Sequence, residues 1–291
     1  MKIAIIGAGR VGLSLVKVLW KNFKIISICE KNEKEIGKFR KEYKSLEYIG
    51  TNPYSASINA DVIFITTQDD FIEKVCNEIF ENRDIRDKYV FHCSGSLPST
   101  ILNSAKKNNC YIGSMHPLQT VPDEIKGPEN LKKAYFCLEG DNEAVEVAKK
   151  IVEKISGKYF IISPENKSLY HLGAVFSSNF INTMAYIGFK IYEKIGIVKD
   201  DKEFLEIISP LIDGAINGIK SYGIYKSLTG PIVRGDVNTL KRHVEGINKD
   251  YPEIRNLYKE ICKITVELAE FYYKDKDYSK LKEFLEKNLW A

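Results

Sequence analysis

Hydrophobic and polar positions follow two different patterns along the chain, and the pattern changes near residue 163. Before that point, short continuous apolar runs alternate with stretches in which the apolar residues have helical spacing. Continuous apolar runs are typical of strands covered on both faces of a parallel sheet, and the stretches between them are typical of amphipathic helices. The first half of the chain therefore predicts an α/β fold with a doubly wound, mostly parallel sheet of the Rossmann type.

Beyond residue 163 the apolar spacing is helical throughout, so we predict a sheet domain over residues 1–162 and an all-α domain over residues 163–291. The predicted strands are residues 2–6, 24–29, 46–49, 61–66, 89–93, 111–115, 134–138 and 159–162, with helices over 11–20, 33–43, 70–81, 98–107 and 142–155. The later predicted helices are 166–194, 201–222, 237–249, 252–273 and 278–289, and Pro210 should kink or split the second of these.

Composition excludes several classes of protein. The chain has 291 residues, 44% of them hydrophobic and 28% charged, so it is long enough for two domains and unlike a disordered protein. Its net charge of +4 forms no basic stripe, and no apolar run approaches the ~18 residues of a membrane span, so we expect no nucleic-acid or membrane partner. The first predicted strand begins at residue 2, so we expect no signal peptide. The six cysteines form no C-x-x-C pair and are typical of buried thiols in a cytoplasmic protein without a metal site.

A glycine-rich turn joins the first predicted strand to the first helix, and a second strand and an acidic residue follow in the order of a dinucleotide-binding unit. Its first glycine permits a sharp bend, its second lets the backbone approach a pyrophosphate, and its third lets the helix pack closely on the sheet. The helix that begins there offers free N–H groups to phosphates. The predicted coenzyme-binding residues of this turn are Gly7, Ala8, Gly9, Arg10, Val11 and Gly12.

Glu30 ends the second predicted strand, where a carboxylate can accept hydrogen bonds from both ribose hydroxyls of NAD and would repel the 2′-phosphate of NADP. This position favours NAD. Lys31, Asn32 and Lys34 follow directly, and together with Arg10 they could accommodate a phosphate, so NADP stays open.

Ligands of such sheets bind at the carboxyl ends of the strands, so the residues after the fourth, fifth and sixth strands should share a crevice with the glycine turn. Thr66, Thr67 and Gln68 follow the fourth strand and are predicted to contact the nicotinamide ribose or the phosphates. The alternative interpretation is an ordinary helix N-terminus capped by Asp69 or Asp70.

Ser94, Ser96 and His116 follow the next two strands. Histidine titrates near neutrality, so His116 is predicted to pass a proton to the substrate while hydride moves. Ser94 or Ser96 would hydrogen-bond the same substrate group. In the alternative interpretation His116 only braces its loop, and His92, inside a strand, is expected to be structural.

Two polar clusters stand out in the second half. Spacing places Lys167, His171, Ser178 and Asn179 near one face of the first long helix, either at a functional site or as a polar stripe of a bundle or dimer contact. The loop over residues 228–236 carries the second cluster: Thr229 and Arg234 are predicted to bind substrate, Arg234 as a clamp on a carboxylate, and Asp236 to orient Arg234 or to cap the next helix.

Over nearly its whole length the chain resembles the Rossmann-like oxidoreductases with a C-terminal helical domain of unknown function. These belong to the superfamily of pyrroline-5-carboxylate reductase, prephenate dehydrogenase and ketopantoate reductase. The resemblance implies hydride transfer with a nicotinamide coenzyme, and a helical domain of the 6-phosphogluconate dehydrogenase type that forms a homodimer. The motifs that carry it are His116-Pro117-Leu118-Gln119, Tyr170-His171 with Ser178-Asn179, Thr229-Gly230-Pro231 and Arg234-Gly235-Asp236.

The resemblance also bears on the substrate. Prephenate dehydrogenases carry a further histidine on the long helix, where this chain has Asn179, which argues against prephenate. Ketopantoate reductases use a lysine and an asparagine on this helix; Lys167 and Asn179 are too far apart to match, and His171 would replace the lysine. The predicted catalytic residues are His116, Asn179, Ser94 and His171, and the predicted substrate-binding residues are Arg234, Ser96 and Thr229.

We therefore expect an NAD(P)-dependent reductase of a small carboxylate-bearing C=O or C=N compound, with a 2-oxo acid such as ketopantoate as the leading candidate. The alternative hypothesis is a non-catalytic NAD(P)-binding redox sensor whose helical domain binds a partner. A deazaflavin in place of the nicotinamide is compatible with the same sequence.

Overall fold

The computed structural model describes residues 1–287, and the contacts of the chain divide it into two compact units, Met1–Met184 and Ala185–Ala291. The first unit contains the sheet. The predicted boundary at residue 162 marks the end of the strands, whereas the first unit also includes helical residues beyond it, so that boundary stays a prediction.

An eight-stranded sheet forms the centre of the first unit, with the strand order β3-β2-β1-β4-β5-β6-β7-β8. Neighbouring strands are parallel except β6 and β7, which are antiparallel. This confirms the predicted doubly wound, mostly parallel sheet. The strands are β1 (Lys2–Ile6), β2 (Lys24–Cys29), β3 (Tyr48–Gly50), β4 (Val62–Ile65), β5 (Tyr89–His92), β6 (Tyr111–Leu118), β7 (Tyr135–Gly140) and β8 (Lys158–Ile161).

Helices cover both faces of this sheet because alternate strand residues point to opposite sides. The helices of the sheet region are α1 (Arg10–Leu19), α2 (Glu33–Glu42), α3 (Pro53–Ser57), α4 (Asp69–Phe80), α5 (Asn103–Lys107), α6 (Lys126–Leu131) and α7 (Asn142–Lys154). In β1, Ile3 and Ile5 pack in a cluster with α1, α2 and α7, while Ala4 and Ile6 pack with α3, α4 and α5.

Some local predictions for the first unit were wrong. The short helices α3 and α6 were not predicted, because each contains a proline and occupies a segment that resembles a loop in sequence. The predicted helix 98–107 is a 3₁₀ segment, Ser99–Leu102, followed by α5. Strand β6 continues past the predicted end to Leu118, because its second half pairs with the antiparallel β7. His116 therefore lies in a strand and not in a loop.

The predicted helix 166–194 consists of α8 (Lys167–Ala174), a π-helical turn over Val175–Asn179 and α9 (Phe180–Lys194). In the second unit the helices are α10 (Asp201–Lys226), α11 (Val237–Asp250), α12 (Arg255–Tyr272) and α13 (Ser279–Glu286). Pro210 does not split α10; the break falls at Gly223, whose positive φ of 82° takes it out of the helical region. Leu289, the predicted end of the last helix, lies outside the described residues.

Five of the six free cysteines are buried, and Cys93 is half-buried. Among residues 1–287, no helix combines the length and apolarity needed to span a membrane.

Close packing requires glycine at position 12. Gly37 provides a matched control for a glycine-to-alanine substitution. A Cβ on Gly12 would lie 2.1 Å from the carbonyl oxygen of Gly7, whereas a Cβ on Gly37, exposed in α2, would meet nothing within 4 Å. We expect Gly12→Ala to lower the free energy of unfolding by about 1–3 kcal/mol. Gly37→Ala should raise it by about 0.5–1 kcal/mol, because alanine has the better helix propensity. Urea unfolding followed by circular dichroism measures both, and a wild-type midpoint for Gly12→Ala would contradict the packing argument.

Candidate active site

The glycine turn has the geometry that a diphosphate requires. Gly7 adopts a positive φ of 99°, and its carbonyl oxygen accepts a hydrogen bond from Thr66 Oγ1 at 2.6 Å. Gly9 is the N-cap of α1, no side chain caps that helix, and a Cβ on Gly9 would meet nothing within 4 Å. No side chain caps the first N–H groups of α1, so a phosphate can accept their hydrogen bonds.

Glu30 is fixed at the edge of this turn by backbone donors. Its carboxylate accepts hydrogen bonds from the amides of Ala8 at 2.9 Å, Lys31 at 2.8 Å and Asn32 at 3.0 Å. It lines a cavity of about 380 Å³ together with the turn and the segment after β4. The members of that lining that the sequence predicted are Gly7, Gly9, Glu30, Thr66, Thr67 and Gln68.

The N-terminus of α4 is not capped by an aspartate, which was the alternative interpretation of the segment after β4. Its N-cap is Gln68, which makes no side-chain capping bond, and Asp69 is the first helical residue. Neither Asp69 nor Asp70 caps the helix. The cavity, the uncapped α1 and the carboxylate of Glu30 together fit an adenine dinucleotide.

A larger cleft of about 810 Å³ brings several predicted residues together. Arg10 and Val11 of the glycine turn line it, and so do His116, His171 and Asn179. Ser94 and Ser96 do not belong to its lining. The structure thus joins the coenzyme turn to His116 and to the polar face of the long helix in one cavity.

His116 is held in an environment that keeps its ring neutral. Its Nδ1 lies 2.7 Å from the hydroxyl oxygen of Tyr170, and its ring is 6.1 Å from that of His171, centroid to centroid. Burial, followed by the charges of Lys167 and His171, lowers the pKa of His116 to about 3. A neutral imidazole can donate a hydrogen bond, but it has no additional proton to release near pH 7.

Gly95 allows the two histidines to approach the turn after β5. A Cβ at this position would lie 2.5 Å from His171 Cδ2 and 2.9 Å from His116 Nε2. The turn can therefore pass beside both rings only because residue 95 has no side chain.

Lys167 is buried and does not line the cleft. Its side chain has no exposed area, and its Nζ donates to the carbonyl oxygen of Ser94 at 3.0 Å and to Ser114 Oγ at 2.7 Å. Burial lowers its pKa. Lys167 thus joins the start of α8 to the turn after β5 and to the middle of β6.

Asp69 binds both serines for which the sequence predicted a role towards the substrate. Its Oδ2 accepts from Ser94 Oγ at 2.7 Å and from Ser96 Oγ at 3.0 Å. Ser94 is buried, and its Oγ also accepts from the backbone N–H of Ser96 and Leu97. These hydroxyls therefore stabilise the turn after β5, and their roles towards a substrate stay predictions.

The π-helical turn changes which residue shares a face with His171. In an uninterrupted α-helix Ser178, seven residues later, would lie on that face. A π-helical turn accommodates one extra residue, so Asn179 takes this position. Both Ser178 and Asn179 line the cleft.

In the second unit, Thr229 and Arg234 are exposed, and their roles stay predictions. Asp236 caps α11, because its Oδ1 accepts from the backbone N–H of Thr239 at 3.0 Å. This confirms the capping alternative for Asp236. His92 is buried as expected, and its Nδ1 accepts from the backbone N–H of Ser94.

Four features of the site were missed by sequence reasoning: the contact of Tyr170 with His116, the burial of Lys167, the close approach at Gly95 and the serine contacts of Asp69. Tyr170 precedes His171 in a quoted motif, so its position in the sequence was a usable signal. The other three arise from contacts between distant segments, which leave no local pattern.

Two family models match the chain. One, described as an NADP oxidoreductase, coenzyme F420-dependent, matches residues 2–94, and the other, DUF2520, a domain of unknown function, matches residues 134–265. No curated protein sequence matches the chain.

Solved structures match over most of the chain. Protein TM1727 from Thermotoga maritima is 30% identical, with a TM-score of 0.74, over 93% of this chain and 98% of its own. BF3122 from Bacteroides fragilis, named as a candidate NADP oxidoreductase, is 22% identical with a TM-score of 0.72, over 91% of this chain and 98% of its own. An imine reductase variant from Myxococcus stipitatus in complex with NAD⁺ is 14% identical with a TM-score of 0.58, over 98% and 99% of the two chains. The last two similarities concern the fold.

Proposed function

Because this chain belongs to the family of Rossmann-like oxidoreductases that carry a C-terminal DUF2520 domain, we propose that it reduces a small carboxylate-bearing C=O or C=N compound with NAD(P)H. The observation that carries this proposal is the shared cleft, in which Arg10 and Val11 of the glycine turn lie with His116, His171 and Asn179. A bound reduced nicotinamide supplies the hydride. A 2-oxo acid such as ketopantoate is the first substrate to test.

Different residues bind the coenzyme and contact the substrate. The amides of the glycine turn and the start of α1 hold the diphosphate, and Glu30 receives the adenosine ribose. His116 offers a hydrogen bond to the reacting group, and Asn179 orients it from the long helix. Arg10 brings a positive charge to the cleft, which favours an anionic ligand.

We propose that NAD(H) binds more tightly than NADP(H), because the fixed carboxylate of Glu30 repels a 2′-phosphate. Calorimetric titration should give at least about a tenfold lower Kd for NADH than for NADPH. Glu30→Gln keeps an oxygen acceptor for the Ala8 amide but removes the charge, so NADPH affinity should rise about tenfold with little change for NADH. Glu33→Gln, on the exposed start of α2, is the matched control. Tighter binding of NADPH by the wild type would refute this preference.

A substrate screen tests the reaction itself. Purified protein with NADH or NADPH should consume reduced coenzyme in the presence of one or more 2-oxo acids or cyclic imines, followed at 340 nm. His116→Ala should lower kcat/KM by about 10²–10⁴-fold while coenzyme affinity is retained, because the histidine contacts the substrate and not the diphosphate. His243→Ala, which removes an exposed histidine of α11, should leave turnover unchanged.

Turnover that survives His116→Ala would reject the assigned role of this histidine. Coenzyme binding without turnover of any substrate would favour the redox-sensor hypothesis instead. The family model over residues 2–94 names coenzyme F420, a deazaflavin, so the screen includes reduced F420 as a hydride donor and NADP⁺ as its acceptor.

We also propose that the chain forms a homodimer through its helical region. Large apolar side chains are exposed on the first unit at Leu169, Leu172 and Phe176, and on the second unit at Leu211 and Ile264. Exposed apolar groups of this number are typical of an interface that a second copy covers. Light scattering should give the dimer mass, and Phe176→Asp should shift the distribution towards monomer. A monomeric wild type at micromolar concentration would contradict the proposal.

A further inference from the structure

The cavity beside the glycine turn also reaches one face of α4. The α4 residues that line it are Phe71, Val75 and Glu78, whose spacing makes them neighbours on a single helical face. Its volume of about 380 Å³ is in the range of small-ligand pockets. A dinucleotide whose diphosphate lies at the glycine turn and whose ribose lies at Glu30 therefore has room for its base next to α4.

Phe71 offers an aromatic surface to a planar base. It lies in the first turn of α4 and is 42% exposed, and it lines the cavity together with the buried Val75 and with Pro53, the first residue of α3. The Lys31 ammonium lies 5.3 Å from the centre of its ring. Stacking on an aromatic ring is open to every base, because every base has a π face. Phe71 therefore favours a base without distinguishing one base from another.

Glu78 is a hydrogen-bond acceptor on the same face. An ionised carboxylate can only accept hydrogen bonds. Lys74 and Arg83 line a neighbouring cavity with Glu78. Within residues 1–287, however, Glu78 takes part in no ion pair. Its carboxylate is therefore available to a donor on a ligand.

The Cys29 thiol relates this carboxylate to the ribose position. Cys29 ends β2 and lines the cavity between the residues of the glycine turn and those of α4 in the sheet order. Burial, followed by the charges of Glu30 and Glu78, raises the pKa of Cys29 to about 12. Both carboxylates thus lie near one thiol. Helical side chains also lean towards the helix N-terminus, so Glu78 extends towards Val75 and Phe71.

Purine bases differ at the edge that such a carboxylate would meet. Adenine carries an amino group at position 6, which is a donor, whereas guanine carries a carbonyl oxygen there, which is an acceptor. Hypoxanthine has the same carbonyl oxygen. A carboxylate accepts from the amino group and is repelled by the carbonyl oxygen.

We propose that Glu78 makes the coenzyme site selective for adenine by accepting a hydrogen bond from the 6-amino group of the base, and that Phe71 stacks on the base without selecting it. The inference rests on the proposed function, because it takes the ligand of this cavity to be a pyridine dinucleotide. It adds a specificity-determining residue that lies outside the glycine turn and Glu30.

Two coenzymes that differ only at position 6 test the proposal on the wild-type chain. Calorimetric titration compares NADH with reduced nicotinamide hypoxanthine dinucleotide. We expect about fivefold or more tighter binding of NADH, because a base with a carbonyl oxygen leaves the carboxylate without its donor. Equal affinities, or tighter binding of the hypoxanthine coenzyme, would overturn the inference. Binding of neither coenzyme would instead overturn the reductase function on which it rests.

Variants of α4 separate selection from stacking. The amide of Glu78→Gln can turn its oxygen to an amino group or its NH₂ to a carbonyl oxygen, so the two coenzymes should bind within about twofold of each other. Phe71→Ala should weaken both about tenfold and keep their ratio. Glu73→Gln is the matched control, because Glu73 is exposed on the same helix and lines the neighbouring cavity but not this one. A wild-type ratio in Glu78→Gln would overturn the assignment of Glu78.

Adenosine and inosine 5′-monophosphates test the same contact without the nicotinamide half of the coenzyme. Each has one phosphate for the glycine turn and one ribose for Glu30, and the two differ only at position 6 of the base. Titration of the wild type should give about fivefold or more tighter binding of the adenine nucleotide. Glu78→Gln should remove this difference, whereas Glu73→Gln should keep it. Equal binding of both nucleotides by the wild type would contradict recognition of the 6-amino group.

Discussion

The buried amino group of Lys167 makes the contacts on which the arrangement of the cleft depends. Lys167 begins α8 and donates hydrogen bonds to the backbone of Ser94, after β5, and to the side chain of Ser114, in β6. These bonds join the helix to the turn that follows β5 and to the middle of its neighbour β6. His116 and Tyr170 meet at 2.7 Å because they lie on the two elements that Lys167 holds together. A buried amino group without such acceptors would be destabilising, so the position is tightly specified.

Burial, followed by neighbouring groups, determines the protonation of His116. A histidine chosen from sequence for its titration near neutrality is, in the folded chain, a neutral ring whose pKa burial and the Lys167 cation lower to about 3. A neutral His116 ring has no additional proton to release near pH 7. Asp69 binds the hydroxyls of Ser94 and Ser96, which do not line the cleft, whereas His116, His171 and Asn179 do.

Sequence reasoning predicted the sheet well because buried parallel strands are continuous apolar runs and the helices between them are amphipathic. It failed where local pattern and tertiary contact disagree. The strand β6 extends past residue 115 only because β7 pairs with it in the antiparallel sense. The break at Gly223 and the helices α3 and α6 were missed because their prolines and glycines are also typical of loops.

The sequence by itself determined the coenzyme half of the protein, since a glycine turn between strand and helix, followed by Glu30, encodes its own geometry over about 30 neighbouring residues. It also identified His116, His171 and Asn179 as residues with useful chemistry. Only the tertiary structure decided how they are arranged in the cleft. Whether Lys167 is solvated or buried, whether Ser94 is available, and whether Asn179 or Ser178 shares a face with His171 depend on contacts between segments far apart in the chain and on a π-helical turn. Burial and charge at such contacts are properties of the fold, and no local pattern of residues records them.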